Sequence, residues 1–196
     1  DAEVELELKK SKKALLARWT TSFDCEETDF WYCIKDNPFS LEDAKKDIKY
    51  KIRKGIKYFN VIRCFPLDYA EELYYVFMEA QRSYPKKNRT NLSKEQFVNY
   101  LRNLQYDASI IFYIAFLKET NEVAGYVVMK ECEDYCQLQS QKALPSLQKY
   151  QVNAAMVYYV VSDYNSKLES GDFYINDGAR NINHETHFQD YLEKYF

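Results

Sequence analysis

The sequence predicts an α/β (α+β) domain in which a mixed, largely antiparallel twisted sheet is flanked by helices. Ile110–Phe116 is rich in β-branched and aromatic residues, and Ala124–Met129 follows it across the polar turn Lys118–Glu122, as in a hairpin. Later, a helical pattern over Pro145–Asn165 separates two strand patterns, and a crossover of this length joins parallel strands. We therefore expect antiparallel central strands and one parallel pair.

The first thirty-four residues carry strand patterns. Glu3–Leu8 alternates apolar residues with acids, which is typical of a half-exposed strand. Ala14–Thr20 and Phe30–Ile34 read as two further strands, separated by the acidic loop Asp24–Asp29. These patterns predict an antiparallel start to the chain.

A basic helix is predicted from Pro38 to about Tyr58, with Ser40 as its N-cap and Asp43 in the acidic position of a capping box. Isoleucines form a narrow apolar stripe along it, and most of the remaining face is lysine or arginine. This face is either a solvated outer surface or a surface that contacts the phosphates of a polyanion. The candidate phosphate-binding residues are Lys49, Arg53 and Lys57.

A strand over Asn60–Phe65 and an amphipathic helix over Asp68–Tyr84 follow the basic helix. The basic loop Pro85–Thr90 comes next. Ser93 is predicted to cap the next helix, Lys94–Leu104.

The strand pattern Tyr135–Gln141 alternates, so it predicts a polar face made of Tyr135, Gln137, Gln139 and Gln141 and an opposite face made of Cys136, Leu138 and Ser140. We expect the polar face to line a cleft. The N-terminus of the Pro145 helix should lie near the end of this strand, where free N–H groups can bind an anion. The candidate residues for binding a donor there are Lys149, Asn153 and Gln139.

The C-terminal part reads as a strand over Asp172–Ile175, a polar loop over Asn176–Asn183 and a helix over His184–Phe196. A further strand is expected beyond this helix, so the chain is predicted to lack its last strand. The 196 residues otherwise suit a single domain, 1–196.

Composition narrows the classes of function. The net charge of −3 gives the chain as a whole no attraction to nucleic acid or anionic membrane. Five scattered cysteines favour reduced thiols and a cytoplasmic location, and no run of eighteen apolar residues is present. His184 and His187 have no third ligand nearby, so no metal is predicted. The sequence has no Gly-x-Ser-x-Gly, P-loop or dinucleotide motif. We therefore exclude hydrolases and nucleotide triphosphatases from the predicted classes of function.

The order of elements resembles the GNAT superfamily of N-acyltransferases, and most of all its FemAB-like branch, which includes many bacterial acyltransferases. The resemblance rests on four stretches between Phe30 and the C-terminus. They are Phe30–Asp36, Lys49–Lys57, Pro145–Asn153, and Tyr174–Arg180 with Phe188–Phe196.

The resemblance implies an acyl- or aminoacyltransferase that acts on an amine acceptor, such as a small molecule, a sugar nucleotide or a cell-envelope precursor. It implies acyl-CoA (acetyl-CoA) or aminoacyl-tRNA as donor, and no metal. GNAT acetyltransferases carry a Gly-rich turn before the crossover helix, whereas Leu147–Val152 contains no glycine. Two alternatives therefore stay open: a non-catalytic GNAT-like binding or scaffold module that has lost the donor site, and an RNA-contacting protein. The oligomeric state is not predicted.

Acyl transfer to an amine needs a polarised donor carbonyl and a deprotonated amine, but no enzyme nucleophile. Asp177 is the candidate that orients or deprotonates the amine, and Arg180 the candidate that binds an anionic group. Tyr135 is the candidate that hydrogen-bonds to substrate from the strand face. The alternative interpretation is an ion pair or capping set within the loop for Asp177 and Arg180, and simple solvation for Tyr135.

Overall fold

The computed structural model describes Lys10, residues 33–177 and residues 187–196. The last two ranges belong to one compact unit, Trp31–Phe196. The strands predicted at Glu3–Leu8 and Ala14–Thr20 lie outside the described residues, as does most of the strand at Phe30–Ile34. The single-domain assignment and the missing last strand stay predictions.

Six strands form one sheet in the described part of the chain. They are β1 (Ile34–Lys35), β2 (Phe59–Arg63), β3 (Ile110–Leu117), β4 (Val123–Glu131), β5 (Tyr135–Ala143) and β6 (Tyr174–Asn176). Their order is β1-β6-β5-β4-β3-β2, and only β5 and β6 are parallel. The predicted hairpin and the predicted parallel pair are both confirmed.

The described helices are α1 (Lys46–Tyr58), α2 (Ala70–Arg82), α3 (Lys94–Tyr106), α4 (Val152–Asp163), α5 (Asn165–Leu168) and α6 (Phe188–Leu192). Short 3₁₀ turns occupy Pro66–Tyr69, Lys86–Asn88 and Pro145–Tyr150. None of these helices is long and apolar enough to cross a membrane.

The central strands β3 and β4 are buried on both faces. Alternate residues of β3 point to opposite sides, so that Tyr113 and Ala115 pack in the core that contains α1 and α4, while Phe112 and Ile114 pack in the core that contains α2 and α3. Strands covered on both faces are apolar without interruption, which explains the long apolar runs in the sequence.

The basic helix α1 begins at Lys46, so the predicted start at Ser40 is wrong. The Ser40 Oγ accepts the Glu42 N–H and the Ser40 carbonyl accepts the Asp43 N–H, which closes an isolated turn. The capping box predicted at Ser40 is therefore a local turn that the helix does not continue. At Ser93 the prediction is confirmed, because its side chain caps α3 and Gln96 completes a capping box.

The crossover helix α4 begins at Val152, not at Pro145 as predicted. Pro145 starts a 3₁₀ turn that ends where Gln151 adopts a left-handed conformation, with φ +66°. The chain approaches α1 closely at this break, since an added Cβ at Gly55 would lie only 2.6 Å from the Gln151 carbonyl oxygen. Helices α1 and α4 thus cross at a glycine.

A β-bulge interrupts the regular alternation of β5. Val128 pairs with Ser140, and Met129 pairs with Leu138, so Gln139 is an extra residue on β5. Gln141 consequently shares a face with Leu138, and Ser140 moves to the opposite face. The prediction of one polar face holding Tyr135, Gln137, Gln139 and Gln141 is therefore wrong at Gln141, and the prediction for Ser140 is wrong as well.

Candidate functional site

Strands β5 and β6 are paired over a short distance and then part. Their parallel pairing runs from Tyr135 with Tyr174 to Gln137 with Asn176. From Leu138 to Ala143, β5 remains paired with β4 but has no partner strand on its other side in the described ranges. We call this unpaired side of Leu138–Ala143, together with Asp177 where the chain leaves β6, the β5–β6 opening.

The bulge at Gln139 lies at the point where the two strands separate. A bulge bends its strand and increases the local twist, so it turns the second half of β5 away from the direction of β6. Separated strands expose main-chain N–H and C=O groups, which an extended ligand can pair with. The opening therefore offers a row of backbone hydrogen-bonding groups inside a sheet.

Asp177 is a buried carboxyl group at the rim of the opening. It is only 7% exposed. Its Oδ1 accepts the backbone N–H of Cys33 at 3.0 Å, and the Gln189 side chain also hydrogen-bonds to the carboxyl group. Its Oδ2 is buried and accepts no hydrogen bond within the described ranges. Burial raises the pKa of Asp177 to about 6, although both hydrogen bonds act in the opposite direction.

A carboxyl group with this pKa suits proton transfer at neutral pH. It is ionised at pH 7, yet it is a better proton acceptor than an ordinary aspartate. The role of Asp177 as a base, which the sequence analysis assigns, stays a prediction.

Two further side chains are buried near the start of the described chain, Cys33 just before β1 and Lys35 within it. Burial raises the pKa of the Cys33 thiol to about 12, with the Asp177 charge as a second cause, so this thiol is neutral. Burial lowers the pKa of the Lys35 ammonium, whose Nζ donates to the Asn37 Oδ1. Lys35 is 4% exposed and pairs with Ile175, two residues before Asp177. Sequence reasoning missed this buried lysine, because lysine side chains are almost never fully buried.

The far end of β5 meets the first turn of α4. The Gln141 Nε2 donates to the Asn153 Oδ1 at 3.1 Å, so the predicted donor-binding residue Asn153 does lie beside the strand. The Gln141 Oε1 is buried and accepts no hydrogen bond in this part of the structure. Gln139 is exposed at the bulge, and Lys149 is exposed on the 3₁₀ turn. The structure thus assembles Gln141 with Asn153, and it leaves Gln139 and Lys149 at the surface.

The turn between β5 and α4 uses part of its backbone N–H groups internally. The N–H of Leu147 donates to the Leu144 carbonyl and the N–H of Gln151 donates to the Gln148 carbonyl. Leu147 and Tyr150 pack partly into the core. The first N–H groups of α4, from Val152 to Ala154, have no intrahelical acceptor, so the start of this helix keeps backbone donors that can face an anion.

The three cations proposed on α1 lie in different surroundings. Lys49 and Arg53 both form ion pairs with Glu42, at 3.1 and 3.3 Å. The Lys57 Nζ lies instead over the ring of Tyr58, 5.5 Å from its centroid. The charge of Lys49 and Arg53 is thus partly neutralised, while Lys57 forms no ion pair with a described acid.

The ring of Tyr58 contacts that of Tyr150, with centroids 4.8 Å apart, and the Lys149 Nζ lies 5.1 Å from the Tyr150 centroid. Sequence analysis missed this contact. The Lys-Tyr pair occurs at four places in the sequence, Lys49-Tyr50, Lys57-Tyr58, Lys149-Tyr150 and Lys194-Tyr195, and nothing in the sequence shows which of these pairs meet.

Tyr135 is separated from the other candidate catalytic residue that the structure describes. Its ring stacks on Tyr174, with centroids 5.5 Å apart, at the paired end of the two strands. Tyr174 precedes Asp177 by three residues, or about 10 Å along a strand. Tyr135 and Asp177 therefore do not form one cluster, and Arg180 lies outside the described residues.

The histidines remain without an assigned role. His187 is exposed, its Nδ1 lies 3.0 Å from the Asp190 Oδ2, and His184 falls outside the described residues. The described ranges contain no group of three or more side chains that could hold a metal ion.

Comparisons with known proteins establish the fold. Neither a protein-family model nor a curated protein matches the sequence. Among solved structures, FemX matches with a TM-score of 0.57 and 12% identity over 89% of this chain and 60% of its own. L-PGS from Bacillus licheniformis matches with a TM-score of 0.50 and 15% identity over 85% of this chain and 57% of its own.

A functionally unknown conserved protein from Staphylococcus epidermidis ATCC 12228 also matches, with a TM-score of 0.50 and 11% identity over 75% of this chain. The chain spans 52% to 60% of the length of these three structures. At such identities the likeness concerns the fold alone. The chain shares the fold of FemX and L-PGS, and the predicted fold class, a mixed, largely antiparallel sheet flanked by helices, is confirmed.

Proposed function

We propose that the chain is an N-acyltransferase that moves an acyl or aminoacyl group from an activated donor to an amine. The observation that carries this proposal is the β5–β6 opening with Asp177 on its rim. It combines a row of backbone groups that no described strand pairs with and a buried carboxyl group whose pKa is raised to about 6. The sequence resemblance to the FemAB-like branch supports the same reaction class.

The unpaired side of β5 binds the donor. An extended donor arm that carries amide groups pairs with the main chain of Leu138–Ala143, as an added strand does. Backbone N–H groups on this edge polarise the donor carbonyl and stabilise the oxyanion that forms there. Binding both reactants at the opening supplies proximity, which is a large part of the rate gain.

The transfer is direct. The amine nitrogen attacks the carbonyl carbon, the tetrahedral intermediate forms, and the bond to the donor sulfur or ester oxygen breaks. Asp177 accepts the proton that the attacking nitrogen loses. No covalent enzyme intermediate is formed, and the pKa values of Cys33 and Cys136, which burial raises to about 12, keep both thiols protonated.

The donor is acyl-CoA or an aminoacyl-tRNA, and both are activated esters or thioesters that carry phosphate. Side chains on α1 and on the turn before α4 bind the phosphates, together with the backbone N–H groups at the start of α4. The acceptor is an amine on a small molecule or a cell-envelope precursor.

One observation favours a second candidate, a non-catalytic binding module. Leu147 and Tyr150 occupy the turn where acetyltransferases of this fold place glycines, and a module that has lost its donor site would tolerate them. Such a protein binds no acyl donor at the opening.

Donor binding separates the two candidates. We would measure thermal unfolding with acetyl-CoA, with free CoA and with deacylated tRNA. A ligand at about 100 times its dissociation constant stabilises the folded state by about 2.7 kcal/mol. The acyltransferase proposal expects a shift with at least one donor, and transfer of a radiolabelled acyl group to a panel of amines. Asp177→Asn should keep the shift and lose the transfer. The absence of any shift would favour the binding module.

A further inference from the structure

Two tyrosines and two lysines form a small surface at the junction of α1 and the turn before α4. The rings of Tyr58 and Tyr150 lie 4.8 Å apart with their planes inclined at 47°. The Lys57 Nζ lies 5.5 Å from the Tyr58 centroid and the Lys149 Nζ lies 5.1 Å from the Tyr150 centroid. We call these four residues the tyrosine–lysine platform.

The platform is accessible. Lys57 and Lys149 are exposed, and both tyrosines are half-buried, so part of each ring faces solvent. The buried parts of the rings pack against the core. Each tyrosine is thus fixed in position while a flat ligand can still reach it.

The charge of the platform is not neutralised. Other cations of α1 pair with acids, as Lys49 and Arg53 do with Glu42 and Lys51 does with Asp47. Neither Lys57 nor Lys149 forms an ion pair with an acid in the described ranges. Their contacts with the tyrosine rings are of the exposed cation–π type, which is weak, so both ammonium groups can move to an anion.

The platform lies next to the end of the β5–β6 opening where β5 meets the first turn of α4. Tyr150 is the last residue of the turn, Gln151 follows it, and α4 begins at Val152. Asn153, in the first turn of α4, accepts the hydrogen bond from Gln141 of β5. A donor whose reactive end lies in the opening can therefore extend along the start of α4 onto the platform.

Aromatic faces beside mobile cations are the combination that binds a nucleobase and its phosphates. We propose that the tyrosine–lysine platform binds the adenosine phosphate part of the acyl donor. The base stacks on a tyrosine ring, and Lys57 and Lys149 bind the phosphates. This inference rests on the proposed function, because adenosine is the unit that both candidate donors share: CoA carries a phosphorylated adenosine, and tRNA ends in one.

The test uses adenosine 3′,5′-bisphosphate, which lacks the acyl-carrying arm, in isothermal titration calorimetry. We expect it to bind the wild-type chain. Lys149→Ala and Tyr150→Leu should each weaken binding about tenfold, the size of a lost stacking or charge contact. Lys51→Ala, which changes an acid-paired lysine of the same helix, should leave the dissociation constant within twofold. Because Tyr150 is partly buried, its variant is compared at matched folded fraction, and the exposed Lys149 variant gives an independent result.

Two arms distinguish the sources of adenosine. An RNA minihelix that ends in CCA is compared with one that ends in CC, and CoA is compared with pantetheine. Loss of affinity on removing the terminal adenosine identifies tRNA, and loss on removing the nucleotide from CoA identifies CoA. In either arm the loss should vanish in Lys149→Ala. The proposal is overturned if neither the bisphosphate nor any adenosine-bearing probe depends on Lys149 and Tyr150.

The two proposals can fail separately. Binding of the bisphosphate that depends on the platform, without acyl transfer, would retain the platform and reject the enzyme. Acyl transfer that is indifferent to Lys149→Ala would retain the enzyme and reject the platform.

Discussion

The backbone N–H of Cys33 donates a 3.0 Å hydrogen bond to the Oδ1 of Asp177, across 144 positions of the chain. This contact fixes the carboxyl group from the β1 side, while Gln189 holds it from the α6 side. A base held by two separate elements keeps its orientation as long as both remain in place. The position of the Asp177 carboxyl group therefore depends on both β1 and α6.

Replacing Asp177 should change how stability depends on pH. The folded-state pKa of about 6 lies above the ordinary value of 3.8. Between these values the folded chain holds a proton that the unfolded chain releases, so this group lowers the free energy of unfolding as pH rises from about 4 to 6. The loss amounts to about 3 kcal/mol. We expect Asp177→Asn to remove it.

Urea unfolding at pH 4, 5, 6 and 7 measures this effect as the difference between variant and wild type. The free energy of unfolding of the variant should increase relative to that of the wild type as pH rises to 6, and the difference should then stay constant. Asp172→Asn, at an exposed position, serves as control and should show no such shift. A constant difference across the range would mean that Asp177 titrates normally.

The same pKa sets the pH dependence of the proposed reaction. A general base works only when it is deprotonated, so log kcat/KM should rise with unit slope below about pH 6 and level off above it. Transfer rates are measured with two amines of known and different pKa, so that the titration of the acceptor is separated from that of the enzyme. If the rise of log kcat/KM with pH follows only the pKa of the acceptor amine, Asp177 is not the general base.

Gly55→Ala tests the crossing of α1 and α4. Alanine normally favours a helix by about 1 kcal/mol over glycine. Here the added Cβ would lie 2.6 Å from the Gln151 carbonyl oxygen and 3.0 Å from the Ala155 Cβ. Overpacking of this kind costs about 1–3 kcal/mol, so we expect net destabilisation in thermal unfolding.

Lys51→Ala gives the matched control for this substitution, because it introduces the same residue on the same helix without a clash. An increase in stability with Gly55→Ala would show that the two helices can move apart. Because Gln151 precedes α4, the Gly55 variant should also bind the donor more weakly than the Lys51 variant.

Tyr113→Phe tests the polar contact between the sheet and the end of α4. The Tyr113 hydroxyl donates to the Asp163 Oδ2 at 2.5 Å, and the Arg63 Nε donates to the same oxygen at 2.7 Å. The Tyr113 side chain is 2% exposed, but the Asp163 carboxylate is 39% exposed, so water can take part of the place of the lost bond. A bond to a charged acceptor contributes about 1.5–3 kcal/mol, and we therefore expect a loss of stability near or below the lower end of this range.

The cost is read from the urea midpoint at an unchanged m-value. Tyr106→Phe, at an exposed side chain, should leave the free energy of unfolding unchanged. If Tyr113→Phe is neutral as well, Arg63 alone is sufficient to hold Asp163.

Local patterns predicted the elements that depend on local interactions. The hairpin of β3 and β4 follows from two apolar runs and a polar turn, and the cap at Ser93 follows from Ser-x-x-Gln. The helix starts at Ser40 and Pro145 were predicted wrongly, although each has a favourable local pattern. Gln151 lies against Gly55 of a distant helix, and such a contact is not visible in a sequence window.

The candidate site was predicted in part for the same reason. Asp177 and Asn153 follow from their positions after a strand and at a helix start, which local patterns reveal. The contact between Tyr58 and Tyr150 and the burial of Lys35 depend on the packing of distant segments. Single-sequence patterns carry no information on such pairs.

The bulge at Gln139 makes the number of residues in β5 set the course of the strand. Because Gln139 is the extra residue, its deletion would leave Ser140 opposite Val128 and Gln141 opposite Val127, so every side chain from Ser140 to Ala143 would keep its sheet face. The deletion would remove only the bend and the added twist at the point where β5 and β6 part. A sequence alignment would score that change as one small gap in a polar strand, yet it would alter the shape of the opening without moving any side chain to the other face.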